Sequence, residues 1–240
     1  PTIKSEEAAR EGLSNTLLEK CVAWHPESVV MLEEQYRMHE AIMGYASSIF
    51  YKGKLRAHAT VANRSLFNGD EPLLFIDTAG CGYEEKTAGT RISNPEEAAF
   101  LVQHLVSYVA TLRTHYNEEH FPTIAIISPY RQQIEVLQEA VQQQPELQAI
   151  RDKMTVNTID SFQGQERDIV YISMTRSNPD SRIGFLSEIR RMNVAMTRAK
   201  QKLVVVGDSA TLSQLPFYAH FIKYATERDG YKSAWEFMIL

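Results

Sequence analysis

Apolar residues in this chain come in short continuous runs that alternate with stretches of helical spacing. The runs predict strands at residues 29–32, 73–77, 123–127, 154–158, 169–174 and 203–207. Most are rich in β-branched residues and lack a strict apolar–polar alternation, which is typical of strands that are buried on both faces. The pattern therefore predicts a mainly parallel sheet.

The intervening stretches predict helices. The clearest begins at Asn94, because Asn is a good N-cap and is followed by Pro95 and two glutamates; it should extend to about Tyr116. Others are predicted at residues 5–10, 14–22, 39–50, 131–143, 187–197, 210–215 and 217–228. Alternating strands and helices favour one doubly wound α/β domain with helices on both faces. Residues 1–25 would be a helical lead-in and residues 78–93 a mobile loop.

Composition narrows the classes of function. The formal net charge of −5 argues against a protein that coats nucleic acid by bulk charge. No apolar run approaches the ~20 residues of a membrane span, and no signal-peptide pattern is present. We therefore expect no membrane partner, a monomer, and a cytoplasmic location, or a nuclear one in a eukaryote. Cys21 and Cys81 lack metal-ligand spacing and fit a reducing compartment, although a single disulfide stays open.

The charge is unevenly distributed. Between Arg182 and Lys202 there are six basic residues and one acid, Glu188. This segment could form a local site for phosphate on an otherwise acidic protein. The alternative is a solvated helix face, which is what a run of charge usually forms.

The most polar connection between two predicted strands is Thr158-Ile-Asp-Ser-Phe-Gln-Gly-Gln-Glu166. A loop held between strands is where α/β proteins place ligand contacts, and the alternative is a surface turn with a cap. Three other segments carry a similar mixture of charge, amide and aromatic groups. They are Glu34-Gln-Tyr-Arg-Met-His39, Ser128-Pro-Tyr-Arg-Gln132 and Arg190-Arg-Met-Asn-Val-Ala-Met-Thr-Arg-Ala-Lys200.

Two nucleotide-binding motifs are absent from the sequence. No G-x-x-x-x-G-K-S/T segment is present to wrap phosphates, and no G-x-G-x-x-G segment is present to bind a dinucleotide. The second absence counts against an unrelated Rossmann-type enzyme. If the chain handles ATP, it does so as one wall of a shared site.

In order and spacing, the four segments resemble the second RecA-like domain of 5′-to-3′ superfamily 1 helicases. This group is typified by the nonsense-mediated-decay RNA helicase and the immunoglobulin-mu-binding helicase. The resemblance implies a RecA-like, P-loop NTPase-type fold and an ATP site shared with an N-terminal RecA-like domain of the same protein. That domain would carry the phosphate loop and the Mg²⁺ ligands, so no metal site is expected in this chain. Pro1-Thr2 resembles the residues that follow the family's Gly-Asp-x-x-Gln-Leu-Pro-Pro motif, which implies a C-terminal half.

The resemblance also assigns roles at the nucleotide. Arg198 would be an arginine finger and Arg37 a second γ-phosphate contact, and these are the candidate catalytic residues. An arginine suits this task because its planar fork binds phosphate bidentately and stays charged. The nucleotide-binding candidates are Gln35, Tyr36, Gln163, Gly164 and Glu166. Tyr36 would stack on adenine and should be partly exposed; the alternatives are core packing for Tyr36 and helix capping for Arg198.

Single-stranded nucleic acid is the second implied ligand. The candidate contacts are Ser128, Pro129, Tyr130, Thr158 and Asp160. Tyr130 could equally pack against the helix that follows it, and Asp160 could equally be a structural cap. Such contacts reach phosphate and sugar, so sequence specificity is not expected.

Together these observations predict the C-terminal motor domain of an ATP-dependent DNA or RNA helicase, inactive in isolation. The alternative is an inert helicase-like module that binds nucleic acid or protein. Placement of Arg37, Gly164, Glu166 and Arg198 on one rim of the sheet would favour the motor.

Overall fold

The computed structural model describes residues 5–13 and 15–238. The chain divides into two compact units, Pro1–Glu33 and Glu34–Leu240. In the first unit, residues 29–32 are exposed and form no strand, so the prediction of a buried strand there is wrong. The predicted helix over residues 14–22 is observed at Leu17–Trp24, where Thr16 and Glu19 form a capping box. Residue 14 itself lies outside the described residues.

Helices and strands alternate through most of the second unit. The described α-helices are α1 (Glu6–Ala8), α2 (Leu17–Trp24), α3 (Glu40–Phe50), α4 (Ala59–Ala62), α5 (Pro95–Leu112), α6 (Arg131–Gln142), α7 (Ile189–Met196), α8 (Ser209–Leu212) and α9 (Pro216–Thr226). The described strands are β1 (Glu34–Gln35), β2 (Arg56–Ala57), β3 (Leu73–Asp77), β4 (Lys86–Ala88), β5 (Arg91–Ser93), β6 (Ile124–Ser128), β7 (Met154–Thr158), β8 (Arg167–Ser173), β9 (Ala199–Gly207) and β10 (Tyr231–Ser233).

A six-stranded sheet in the order β10-β3-β9-β8-β6-β7 forms the centre of the second unit, and every pairing in it is parallel. Side chains alternate between its faces: Ala125 and Ile127 pack with α3, α7 and α9, and Ile124 and Ile126 pack with α5 and α6. The predicted mainly parallel α/β sheet covered on both faces is confirmed. Strand β10 was missed because its three residues carry no apolar run.

Two predicted local features differ in the structure. The loop predicted over residues 78–93 contains the antiparallel hairpin β4–β5. Ser187 does not cap α7, because it ends a short 3₁₀ turn, Gly184–Ser187, and Glu188 takes the cap position without a side-chain hydrogen bond. In contrast, Asn94 caps α5 as predicted and accepts from the N–H of Glu97.

Glu97 connects the start of α5 to the carboxyl end of β8. It is fully buried, and its Oε1 accepts hydrogen bonds from the Ser173 hydroxyl at 2.5 Å and from the Thr175 N–H at 2.9 Å. Thr175 has a φ of 71°, an uncommon value for a residue with a Cβ. Burial raises the pKa of Glu97 from 4.5 to about 8, although the two hydrogen bonds oppose this. The folded protein therefore keeps this carboxyl protonated at neutral pH.

This raised pKa predicts that stability falls between pH 5 and about 8. In that range the unfolded chain loses the Glu97 proton and the folded chain retains it, so folding becomes less favourable by up to about 1.4 kcal/mol per pH unit. Urea unfolding at several pH values should show this slope, and Glu97→Gln should flatten it. The neighbouring Glu96→Gln variant is the control, because the pKa of Glu96 is lowered by Lys86 and its titration falls below this range. An unchanged slope in Glu97→Gln would contradict the prediction.

Candidate functional site

Glu166 and Arg198 meet because they immediately precede two neighbouring strands. Arg167 of β8 pairs with Ala199 of β9, and the N–H of Arg167 donates to the carbonyl of Arg198 at 3.0 Å. The two candidates therefore lie side by side at the amino edge of the sheet, although 32 positions separate them in the sequence. The Arg198 Nη1 also donates to the carbonyl of Gln165 at 3.2 Å, which places residues 165–166 against Arg198.

Arg37 reaches the same place through a turn after β1. The side-chain oxygen of Gln35 accepts from the N–H groups of Arg37 and Met38, and its amide donates to the Met38 carbonyl. The N–H of His39 then donates to the carbonyl of Lys200 in β9 at 2.8 Å. These bonds fix the turn beside the start of β9. In this structure the side chain of Gln35 stabilises the turn that contains Tyr36 and Arg37. A contact between Gln35 and the nucleotide remains a prediction.

The site contains two guanidinium groups and one carboxylate. Arg37 Nε donates to Glu166 Oε2 at 2.6 Å, and both side chains are partly exposed. Burial lowers the pKa of Arg198, the nearby charge of Arg37 lowers it further, and Glu166 opposes this. Two positive charges held close enough to repel each other, with one negative charge that acts on both, leave a net positive site. Such a site is suited to bind an anion.

Arg198 also makes the contact expected of a helix cap. Its Nε donates to the carbonyl of Val194 in the last turn of α7 at 2.9 Å. The structure therefore contains the helix-capping contact that was the alternative role for Arg198. Within the part of the chain that the structure describes, Nη2 of Arg198 has no hydrogen-bond partner, so the guanidinium still offers donors. The capping contact fixes the position of the Arg198 guanidinium group and leaves Nη2 available to bind an anion.

Tyr36 presents an aromatic face beside this cluster. It is 62% exposed, one face stacks on His58 with ring centroids 4.3 Å apart, and its hydroxyl donates to Glu34. The expected exposure is observed, and the second face of the ring is open for a planar ligand. No sequence signal pointed to His58, because only the β1–β2 pairing brings it beside Tyr36.

Gly164 lies two residues before Glu166 with a φ of 81°. A Cβ placed there would meet no atom within 4 Å, so the space in front of this backbone is open. Positive φ and open space together allow a close approach by a ligand, which a side chain would hinder. Gln163 is exposed in the same loop. Of the four residues whose placement on one rim would favour a motor, Arg37, Glu166 and Arg198 are brought together by these contacts. The fourth, Gly164, lies two residues before Glu166 in the same loop.

The nucleic-acid candidates lie at the opposite edge of the sheet. Ser128 and Thr158 are register partners at the carboxyl ends of β6 and β7. Strand β8 has seven residues, so about 20 Å separates the two edges. This separation could not be read from the sequence, where Thr158 and Glu166 belong to one short segment.

The candidate nucleic-acid contacts differ in their exposure to solvent. Ser128 is fully buried and its hydroxyl bonds to that of Thr175, and Tyr130 is only 4% exposed. The packing alternative is the one observed for Tyr130, so its ring offers no free face to a base. Pro129 and Thr158 are partly exposed and could be reached from solvent.

Asp160 is neither buried nor a cap. It is exposed and accepts two hydrogen bonds from the guanidinium of Arg191 on α7, at 2.6 and 3.2 Å. The loop from Thr158 to Glu166 runs from one edge of the sheet to the other beside α7, and this ion pair joins the two. The loop is also anchored by Ile159 and Phe162, which are buried in the same hydrophobic cluster as Met192 and Ala195 of α7.

The basic segment between Arg182 and Lys202 does not form a continuous phosphate site. Four of its six cations pair with aspartates: Arg182 with Asp180, Arg191 with Asp160, Lys200 with Asp168 and Lys202 with Asp70. Lys200 and Lys202 belong to β9, so the segment is not one helix face either. Arg198 differs from these four because its described hydrogen bonds go to backbone carbonyls.

Among residues 5–13 and 15–238, no group of three His, Cys, Asp or Glu side chains could hold a metal ion. Glu166 supplies the carboxylate at the arginine cluster. The same part of the chain contains no helix that is both long and apolar enough to cross a bilayer.

Comparison with known proteins gives three findings. A family model described as an AAA domain matches residues 13–210. The chain is 36% identical to the DNA-binding protein SMUBP-2 of Mesocricetus auratus, over 99% of this chain and 24% of that protein. It is also 35% identical to the DNA polymerase alpha-associated DNA helicase A of Saccharomyces cerevisiae, over 89% of this chain and 33% of that protein. The chain thus spans a quarter to a third of the length of these relatives.

A solved structure is also similar. It is the C-terminal domain of a possible DNA helicase from Lactobacillus plantarum, with a TM-score of 0.40 and 15% identity, matching 72% of this chain and 88% of that one.

Proposed function

Because this chain belongs to the AAA domain family of superfamily 1 helicase type, we propose that it is the C-terminal motor domain of an ATP-dependent helicase. It would complete an ATP site that is shared with an N-terminal RecA-like domain and would contact single-stranded DNA or RNA. The observation that carries this proposal is the cluster of Arg37, Glu166 and Arg198, whose net positive charge faces an open surface.

ATP is the substrate in this proposal, and each residue of the cluster has a task. Arg198 and Arg37 contact the γ-phosphate and stabilise the negative charge on its oxygens in the transition state. Arg37 must then exchange its bond with Glu166 for one with phosphate. This exchange frees the Glu166 carboxylate to accept from ribose hydroxyls. Tyr36 stacks on adenine with the face that His58 leaves open, and Gly164 allows close approach of the backbone.

In this proposal the ATP site and the contacts to the nucleic-acid strand lie at opposite edges of the sheet, and one loop connects them. The nucleotide cluster lies at the amino edge, and Thr158 lies at the carboxyl edge beside Pro129. The loop between Thr158 and Glu166 reaches both, and the Asp160–Arg191 pair fastens it to α7, which ends next to Arg198. Closure of the two domains on ATP would move this loop and the strand contacts together. Hydrolysis and reopening would then produce a step along the strand.

ATP hydrolysis with and without single-stranded DNA or RNA tests the proposal. We expect no turnover by this chain alone, because it supplies no phosphate loop. Joined to an N-terminal ATPase domain of the same protein, it should hydrolyse ATP faster when a strand is present. Turnover by the isolated chain would contradict a shared site. Strand binding without turnover by the joined protein would identify an inert binding module.

A further inference from the structure

Phe185 is a large aromatic side chain held in solvent at the carboxyl edge of the sheet. It is 58% exposed, yet Leu186 beside it is fully buried. Its ring lies 5.8 Å from the ring of Tyr130, which follows β6 at this edge. Exposure of a phenyl ring costs free energy, and a ligand that covered this ring would recover part of it.

The turn that carries Phe185 is tightly packed on both sides. Gly184 has a φ of 59°, and a Cβ there would lie 2.4 Å from Arg176 Nη1 and 2.9 Å from the Tyr130 hydroxyl. Arg176 is itself buried and bonded to Glu85 at 2.9 Å. On the other side of Phe185, the carbonyl of Leu186 accepts from the hydroxyl of Tyr218 at 2.6 Å. The ring is therefore presented on a preorganised frame, which reduces the entropy lost when a ligand binds.

The electrostatics beside Phe185 favour an anionic polymer. Helix α6 begins after β6 at the same edge, and α7 begins two residues after the turn that carries Phe185. Neither helix has a side-chain cap or an acidic residue in its first turn. At α6 the free N–H groups and the positive end of the helix dipole therefore remain available to phosphates. At α7 the exposed Glu188 occupies the cap position, and its negative charge opposes an anion there. Arg131, the first residue of α6, is exposed.

We infer that Phe185 is a stacking platform for a nucleobase of the bound single strand. The inference rests on the proposed function, which places the strand at the edge formed by Pro129 and Thr158. Tyr130 cannot fill this role because its ring is buried. A phosphate would lie on the first turn of α6 while one base covers the exposed face of Phe185. Stacking of this kind accepts any base, since every base has a π face.

Binding of this chain to a short fluorescent oligothymidylate, compared with an abasic strand of the same length, tests the inference. Wild type should bind the strand with bases more tightly. Phe185→Ala should weaken that binding about 5- to 100-fold and leave binding to the abasic strand unchanged, because phosphate contacts do not depend on the ring. Phe185→Tyr should retain the preference for bases.

Trp235→Ala is the matched control. Trp235 is also 58% exposed and belongs to a 3₁₀ turn after β10, so its loss tests whether removal of any exposed aromatic weakens binding. Thermal melting should show all three variants folded, since both rings are largely in solvent.

Four results would overturn the inference. A preference for bases that survives in Phe185→Ala would assign stacking to another residue and leave the proposed function standing. Equal binding of both strands by wild type would show that no base is stacked, again without touching the proposed function. No binding of either strand by wild type would contradict both proposals. An effect of Phe185→Ala only on assembly with the N-terminal domain would make the ring part of a protein interface.

Discussion

Arg198→Ala is expected to lower the strand-stimulated kcat of the complete helicase by about 10³- to 10⁵-fold. The expected loss is large because the guanidinium contributes most when negative charge develops on the transferred phosphoryl group. Ground-state binding of ATP depends more on the phosphate loop and on adenine stacking, so KM should change little. Steady-state ATPase assays with saturating strand would measure both constants. Arg198→Lys should also lose most activity, because an ammonium group lacks the planar fork.

The control for this prediction must account for helix capping. Arg198 donates to Val194 in the last turn of α7, and loss of that bond could lower stability by about 1 kcal/mol. Thermal melting of the variant would show whether folding is intact at the assay temperature. Arg113→Ala is a matched control, since Arg113 is an exposed arginine at the end of α5, on the other face of the sheet. If Arg198→Ala keeps kcat within an order of magnitude of wild type, Arg198 is a structural cap.

Asp70→Ala is expected to destabilise the fold by about 3–5 kcal/mol. Lys202 Nζ lies 2.6 Å from Asp70, and the two side chains are 4% and 3% exposed. The ammonium group also donates to the Glu71 carbonyl and lies 4.6 Å from the ring centroid of Tyr108. Burial lowers the pKa of Lys202, and Asp70 raises it. Removal of the carboxylate leaves a buried cation without its counter-charge.

Urea unfolding would measure this loss. The double variant Asp70→Ala with Lys202→Met should recover much of the stability, because the uncompensated charge is gone and an apolar chain of similar length fills the space. The exposed pair formed by Lys223 of α9 and Glu227, the residue after α9, is the control, and Glu227→Ala should change stability little. A small effect of Asp70→Ala, similar to that of Glu227→Ala, would show that water or another group satisfies Lys202.

Local sequence signals predicted most of the secondary structure because helix caps and apolar runs depend on residues that are only a few positions apart. The apolar runs at residues 154–158 and 203–207 were enough to place β7 and part of β9, and Asn94-Pro95 was enough to start α5. The same approach failed at residues 29–32, where an apolar run is exposed, and at β10, where a three-residue strand depends on pairing with β3. Local hydrophobicity carries no information about which neighbour, if any, will cover a segment.

For the candidate site, the sequence by itself determined the types of group available: two arginines, a carboxylate, an aromatic ring and a glycine loop. It also determined that no phosphate loop is present. Only the tertiary structure decided how they are arranged. Pairing of β8 with β9 brings Glu166 beside Arg198, and the bond from Arg37 to Glu166 spans 129 positions.

The tertiary structure also decided which charges are available. Lys202 belonged to the basic segment that suggested a phosphate site, yet the fold buries it against Asp70, 132 positions away. Tyr130 and Phe185 are both aromatic in sequence, but the sheet buries the first and the Gly184 turn exposes the second. Such outcomes depend on strand order and on contacts between distant segments, whereas the signals available in a sequence act between residues a few positions apart.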